Sequence, residues 1–152
     1  MKSQYKFGLI VGVIGLVLNI CVAGFMGLCG PLVSLLAGGV AGFFAAQQEK
    51  VATKGNGAQL GAVAGTIAGA LVLIGQVIGG LVALLLVQYA GLKVPFGQVP
   101  SFQSDPSQLV AYYLSGLGAG LCFGLLGVVL AALAGAGLGY LGTPSQPEIM
   151  QL

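Results

Sequence analysis

The sequence predicts an all-α integral membrane protein: a four-transmembrane-helix bundle with glycine-mediated close helix packing. Three observations carry this expectation. Hydrophobic residues make up 57% of the chain and charged residues 5%, against roughly 25% charged in soluble domains. Too few polar side chains exist to cover a water-facing surface. The apolar residues gather into long uncharged runs, and glycine recurs every fourth residue inside those runs, most plainly at Gly57, Gly61, Gly65 and Gly69. A length of 152 residues suggests one membrane domain, 1–152.

The first run, Phe7 to Ala46, contains no charge. As one helix it would reach about 60 Å, about twice the hydrocarbon core of a bilayer, so the chain must turn within it. "MGLCGP", Met26 to Pro31, supplies the turn. Gly27 and Gly30 suit a helix end, and Pro31 suits the first position of the next helix. The first two spans are therefore expected near 7–28 and 31–47.

"QQEKVATKGNG", Gln47 to Gly57, holds Glu49, Lys50 and Lys54 and marks a polar loop at 48–58. A third span is expected near 59–89. "GLKVPFGQVPSFQSDPSQ", Gly91 to Gln108, carries three prolines and sets a loop at 90–108, because proline cannot donate to a helix ladder. Phe96 and Phe102 sit between those prolines, as a docking surface or a cap. The fourth span is expected near 109–141, with a polar tail at 142–152. The two later spans exceed what a membrane requires, which calls for tilt, kinking or projection beyond the headgroups.

Four spans put the N-terminus, the 48–58 loop and the C-terminus on one side. That side carries Lys2, Lys6, Lys50 and Lys54, and the other carries Lys93. The positive-inside rule then makes the first side cytoplasmic. The expected location is the cytoplasmic (inner) membrane, multi-pass, with both termini cytoplasmic. Tyr5, Phe43, Phe44 and Tyr140 fall at the inner interface on this layout, and Phe25, Tyr89, Tyr112 and Tyr113 at the outer one. A rival reading takes the first run as a signal peptide, with "CVA" before Gly24 as the cleavage site. Three spans would then remain.

Glycine costs a helix about 1 kcal/mol per residue relative to alanine in water. In lipid the balance changes. Apolar side chains gain little by leaving one hydrocarbon for another, so close backbone approach becomes the source of helix–helix attraction. Residues four apart share a helix face. Gly57, Gly61, Gly65 and Gly69 form such a face on the third span, and Gly116, Gly120 and Gly124 form one on the fourth. Gly8 and Gly12, Gly38 and Gly42, Gly75 and Gly79, and Gly135 and Gly139 repeat the spacing. Gly118, Gly127 and Gly137 lie off the main stripe. They make the fourth span the candidate for an interface with another chain.

The strongest polar groups inside the spans are Asn19 and Gln76. An unpaired amide in hydrocarbon is costly, so each is expected to bond the other or a nearby carbonyl, or to line a polar path. Ser34, Thr66 and Ser115 are expected to bond their own helix backbones. The acidic residues Glu49, Asp105 and Glu148 all fall outside the spans, which argues against a proton- or sodium-coupled carrier.

The chain has no histidine, which removes the usual proton shuttle and the commonest metal ligand. Its positive charges are all lysine and the net charge is +2, so nucleic acid is not an expected partner. Cys21, Cys29 and Cys122 form no Cys-x-x-Cys pair. Small buried apolar residues are the plain reading of all three, with a Cys21–Cys29 disulfide as the alternative. No catalytic residue, cofactor or metal is expected, and no enzyme activity. The expected partners are the lipid bilayer and either further copies of the chain or other membrane subunits. The expected function is structural or interactive, as a homo-oligomer or an accessory subunit of a larger complex. The alternative is a small channel or transporter for an uncharged or weakly polar solute.

Overall fold

A computed structural model describes residues 2–23, 30–49, 53–90 and 105–143. They form four helices: α1 (Ser3–Ala23), α2 (Gly30–Glu49), α3 (Lys54–Ala90) and α4 (Pro106–Gly142). All four are long and apolar enough to cross a membrane. Of the turn expected over Met26 to Pro31, residues 26–29 lie outside the described residues and Gly30 and Pro31 open α2; Phe25, Lys50, Lys93, Phe96, Phe102, Glu148 and the tail beyond 143 also lie outside them.

All four helices begin earlier than the spans expected near 7, 31, 59 and 109, and at α3 and α4 the local reasons are plain. The Thr53 hydroxyl accepts the Asn56 main-chain N–H at 3.3 Å. This satisfies one of the orphan donors of a helix start and lets α3 begin at Lys54, well before the apolar run. At α4, Pro106 follows Asp105 and occupies the first turn, where its missing N–H costs nothing.

The helices run up, down, up and down. Gly8 lies on Ala64 and Gly12 on Ala68, so α1 and α3 are parallel. Gly38 lies on Ala131 and Gly42 on Gly135, so α2 and α4 are parallel as well. Gly57 faces Gly139 and Gly65 faces Ala131, which sets α3 against α4 in opposite directions. α2 and α3 pack on each other, with α1 and α4 on opposite sides of that pair. Ser3, Glu49, Lys54 and Thr143 consequently share one end, hereafter the near end. There the Ser3 main-chain N–H donates to Glu49 Oε1 at 2.9 Å, and the Ser3 hydroxyl donates to the Ala45 carbonyl at 3.1 Å.

α1 and α2 have 21 and 20 residues, about 30 Å each at about 1.5 Å per residue. α3 and α4 have 37 residues apiece, about 55 Å by the same measure. The full bundle therefore exists only over the near half. Beyond Gly79 on α3, and before Gly124 on α4, no described residue is buried.

The core is built from small side chains. Ala41, Ala45, Ala64, Ala68 and Ala131 have no exposed surface, and Val72 is the largest apolar side chain fully buried among the described residues. The large apolar side chains point outward: Leu36 is 67% exposed and Leu141 72%. This inverts the arrangement of a water-soluble helix, which turns its bulky apolar residues inward.

Candidate functional site

The candidate surface is made of helix faces, and its contacts are between backbones. One turn of α4, Ala131 to Gly135, is wedged between α2 and α3. A Cβ added at Gly38 or at Gly65 would strike the Ala131 carbonyl oxygen, and one added at Gly42 or Gly61 would strike that of Gly135. A Cβ at Gly69 would lie 2.9 Å from the Ala131 Cβ. Gly57 closes the series at the near end, where a Cβ would run into Thr143 Oγ1. Thr143 is itself held by donating its hydroxyl to the Gly139 carbonyl at 2.9 Å.

α1 meets α3 in the same manner but less closely. A Cβ at Gly8 would sit 3.0 Å from the Ala64 carbonyl oxygen, and one at Gly75 would sit 2.8 Å from that of Leu16. Phe7 and Phe44 stack at 5.8 Å between α1 and α2.

The fourth span is divided. A Cβ at Gly124 would lie 3.0 Å from Leu73 Cγ, and Gly127 lies beside the Ser34 hydroxyl. At Gly116, Gly118, Gly120 and Gly137 an added Cβ would meet nothing within 4 Å, and the same is true of Gly80 on α3. Gly80, Gly116 and Gly120 line an open groove between the far halves of α3 and α4. Leu84 and Leu117 supply its walls, and Gln76 is its polar lining residue.

Asn19 and Gln76 lie where the four-helix section gives way to this groove. Asn19 is 1% exposed and donates its Nδ2–H to the Val72 carbonyl at 2.9 Å. Its Oδ1 is buried with no hydrogen-bond partner among the described residues. Gln76, one turn on from Val72, lies over Gly30, with its Oε1 2.7 Å from where a Cβ there would stand.

Thr66 donates to the Ala62 carbonyl at 2.8 Å and Ser115 to that of Tyr112 at 2.9 Å, each within its own helix. Cys21 and Cys122 are free thiols on the exposed surface, not buried packing residues. A Cys21–Cys29 bridge involves a residue outside those described. Among the described residues, no cluster of His, Cys, Asp or Glu side chains gathers that could hold a metal.

At the near end Lys54 Nζ stands 5.2 Å from the centroid of the Tyr140 ring. Near the far end of α4, Tyr112 and Tyr113 meet edge to face at 5.9 Å. No family model matches the chain, and comparison with curated proteins and with solved structures returns no match either.

Proposed function

We propose that this chain is a multi-pass protein of the cytoplasmic (inner) membrane, with both termini on the cytoplasmic side. Its role is structural or interactive, as a homo-oligomer or an accessory subunit of a larger membrane complex. The outward Leu, Val, Ile and Phe side chains support the membrane part of this reading. Such a surface in water would be an aggregation hazard, whereas lipid tails solvate it without cost. In that setting the stripes of Gly57, Gly61, Gly65 and Gly69, and of Gly135 and Gly139, hold the near half together by backbone approach.

One observation carries the interaction part: the open glycine face of Gly80, Gly116 and Gly120 in the far groove. Glycines of the same spacing in the near half are covered by another helix. A helix from a second chain would complete the far half in the same way. Transport is the less supported reading, because the core along the bundle axis includes Ala37, Ala41, Ala64, Ala68 and Val72, with no continuous line of polar groups along it among the described residues.

The test is extraction in mild detergent, followed by mass determination and identification of co-purifying chains. A defined oligomer or a recurrent partner subunit is expected. A lone monomer without partner, under conditions that preserve helicity, would overturn the interaction reading.

A further inference from the structure

The outward apolar belt outruns two of the four helices. On α3 exposed aliphatic side chains extend from Val63 to Leu86, and on α4 from Val110 to Leu141. No charged residue interrupts either stretch. At about 1.5 Å per residue they cover about 35 and 46 Å of helix. Both exceed a hydrocarbon core of about 30 Å, which the bundle meets by tilting and by reaching the headgroups. The far section is therefore as much a lipid-facing surface as the near one.

The middle of this belt falls between Ile74 and Gly75 on α3, and between Leu125 and Leu126 on α4. α2 begins at that level. A Cβ at Gly30, its first residue, would lie 2.7 Å from Gln76 Oε1, and one at Gly127 would lie 2.9 Å from Ser34 Oγ. α1 passes the middle by about two turns: Leu16 lies against Gly75, and the helix ends at Ala23. Four helices thus share the near half of the belt. Among the described residues the far half holds α3, α4 and those last turns of α1, and then α3 and α4 alone. A helix of about 10 Å diameter occupies about 80 Å² of membrane, so the cross-section falls by about 160 Å² from the near end to the far end.

We propose that this taper makes the chain sensitive to membrane curvature, favouring bilayers bent so that the leaflet around its near end is convex. The proposal rests on the membrane reading above. Deforming a flat bilayer around a mismatched body costs free energy. Convex bending spreads the lipids of one leaflet and crowds those of the other. A body with four helices on the spread side and two on the crowded side fits both, whereas a cylinder gains nothing from either bend. Further copies of the chain taper alike, so a homo-oligomer keeps the preference. A helix of a different chain seated in the far groove would reduce it.

The test reconstitutes the full chain into small sonicated and large extruded vesicles of one neutral lipid. Cys21, Cys29 and Cys122 are replaced by serine, and Lys2→Cys is introduced. Lys2 is exposed at the near end, so an impermeant maleimide counts the molecules whose near end faces outward. The outer leaflet of the small vesicles is convex. There the ratio of outward to inward molecules should be at least about twofold higher than in the large vesicles. Thr53→Cys, at the same end, should repeat the result, and Asp105→Cys, at the far end, should give its inverse.

Equal ratios in the two sizes, or a higher ratio in the large vesicles, would overturn the proposal. A chain that stays dispersed without detergent and floats free of the vesicles overturns the membrane reading itself. A chain that inserts with an orientation independent of vesicle size overturns only the curvature preference.

Discussion

Asn19 on α1 donates to the Val72 carbonyl on α3 at 2.9 Å, while its own amide oxygen has no partner among the described residues. The residue thus gains one hydrogen bond and bears one desolvated acceptor. In bilayers such interhelical bonds average about 0.6 kcal/mol, with a ceiling near 2, and an unmet buried acceptor costs about 1–3 kcal/mol. The bond therefore contributes no net stability once its orphaned oxygen is counted. Asn19→Leu, which removes both groups and keeps the volume, should change stability by less than about 1 kcal/mol in a detergent unfolding titration. Asn19→Ala leaves a void and should cost more than the leucine variant. A loss above about 2 kcal/mol for Asn19→Leu would show that the bond outweighs the orphaned oxygen.

The contrast between Gly61 and Gly137 gives a second test. A Cβ at Gly61 would strike the Gly135 carbonyl, whereas one at Gly137 would meet nothing within 4 Å. Backbone cannot swing aside as a side chain can, so Gly61→Ala must push α3 and α4 apart. Overpacking of this kind costs about 1–3 kcal/mol. Gly137→Ala adds only helix propensity and should stabilise by up to about 1 kcal/mol. Thermal melts of the two variants in one detergent should therefore shift in opposite directions. Equal shifts would remove the distinction between covered and open glycines.

The far groove makes a third prediction, about assembly rather than folding. Gly116→Leu together with Gly120→Leu fills the open face, and at neither position would the Cβ meet an atom within 4 Å. Helicity and melting of the isolated chain should be unchanged or slightly raised, since leucine is the better helix former. The mass of the extracted assembly should fall, because a partner helix can no longer approach the backbone. An unchanged assembly would place the interface elsewhere on the molecule.

The four helices were legible because lipid-scale apolar runs are a coarse signal that survives without knowledge of neighbours. Their ends were less so. Hydropathy stops near Gln59 and Leu109, but hydrogen bonding does not: Thr53 caps α3 and Pro106 opens α4, each upstream of the apolar run. Glycine spacing has a different limit. Gly116 and Gly120 repeat every fourth residue just as Gly135 and Gly139 do, yet the first pair faces open space and the second faces α3. A period of four places residues on one face; it carries nothing about what lies against that face. The lengths of α1 and α2 decide that, since they end before the far halves of α3 and α4.

The last prediction concerns which ends share a side of the bilayer. Residues 2 and 53 adjoin the near end, where Lys2, Lys6 and Lys54 lie, and Asp105 opens α4 at the far end. α4 has 37 residues, about 55 Å of helix, which exceeds the roughly 30 Å hydrocarbon core even when tilted by 40°. In a background with Cys21, Cys29 and Cys122 replaced by serine, single cysteines would be introduced as Lys2→Cys, Thr53→Cys and Asp105→Cys. All three native residues are exposed, so a membrane-impermeant maleimide can reach each from its own side. In sealed right-side-out vesicles Asp105→Cys should label, and the other two only after permeabilisation. Inverted vesicles should give the reverse. Labelling of Lys2→Cys and Thr53→Cys from outside, with Asp105→Cys protected, would preserve the bundle but invert it, against the lysine bias. Labelling of Lys2→Cys and Thr53→Cys from opposite sides is incompatible with α1 and α2 crossing as an antiparallel pair, and would overturn the topology itself.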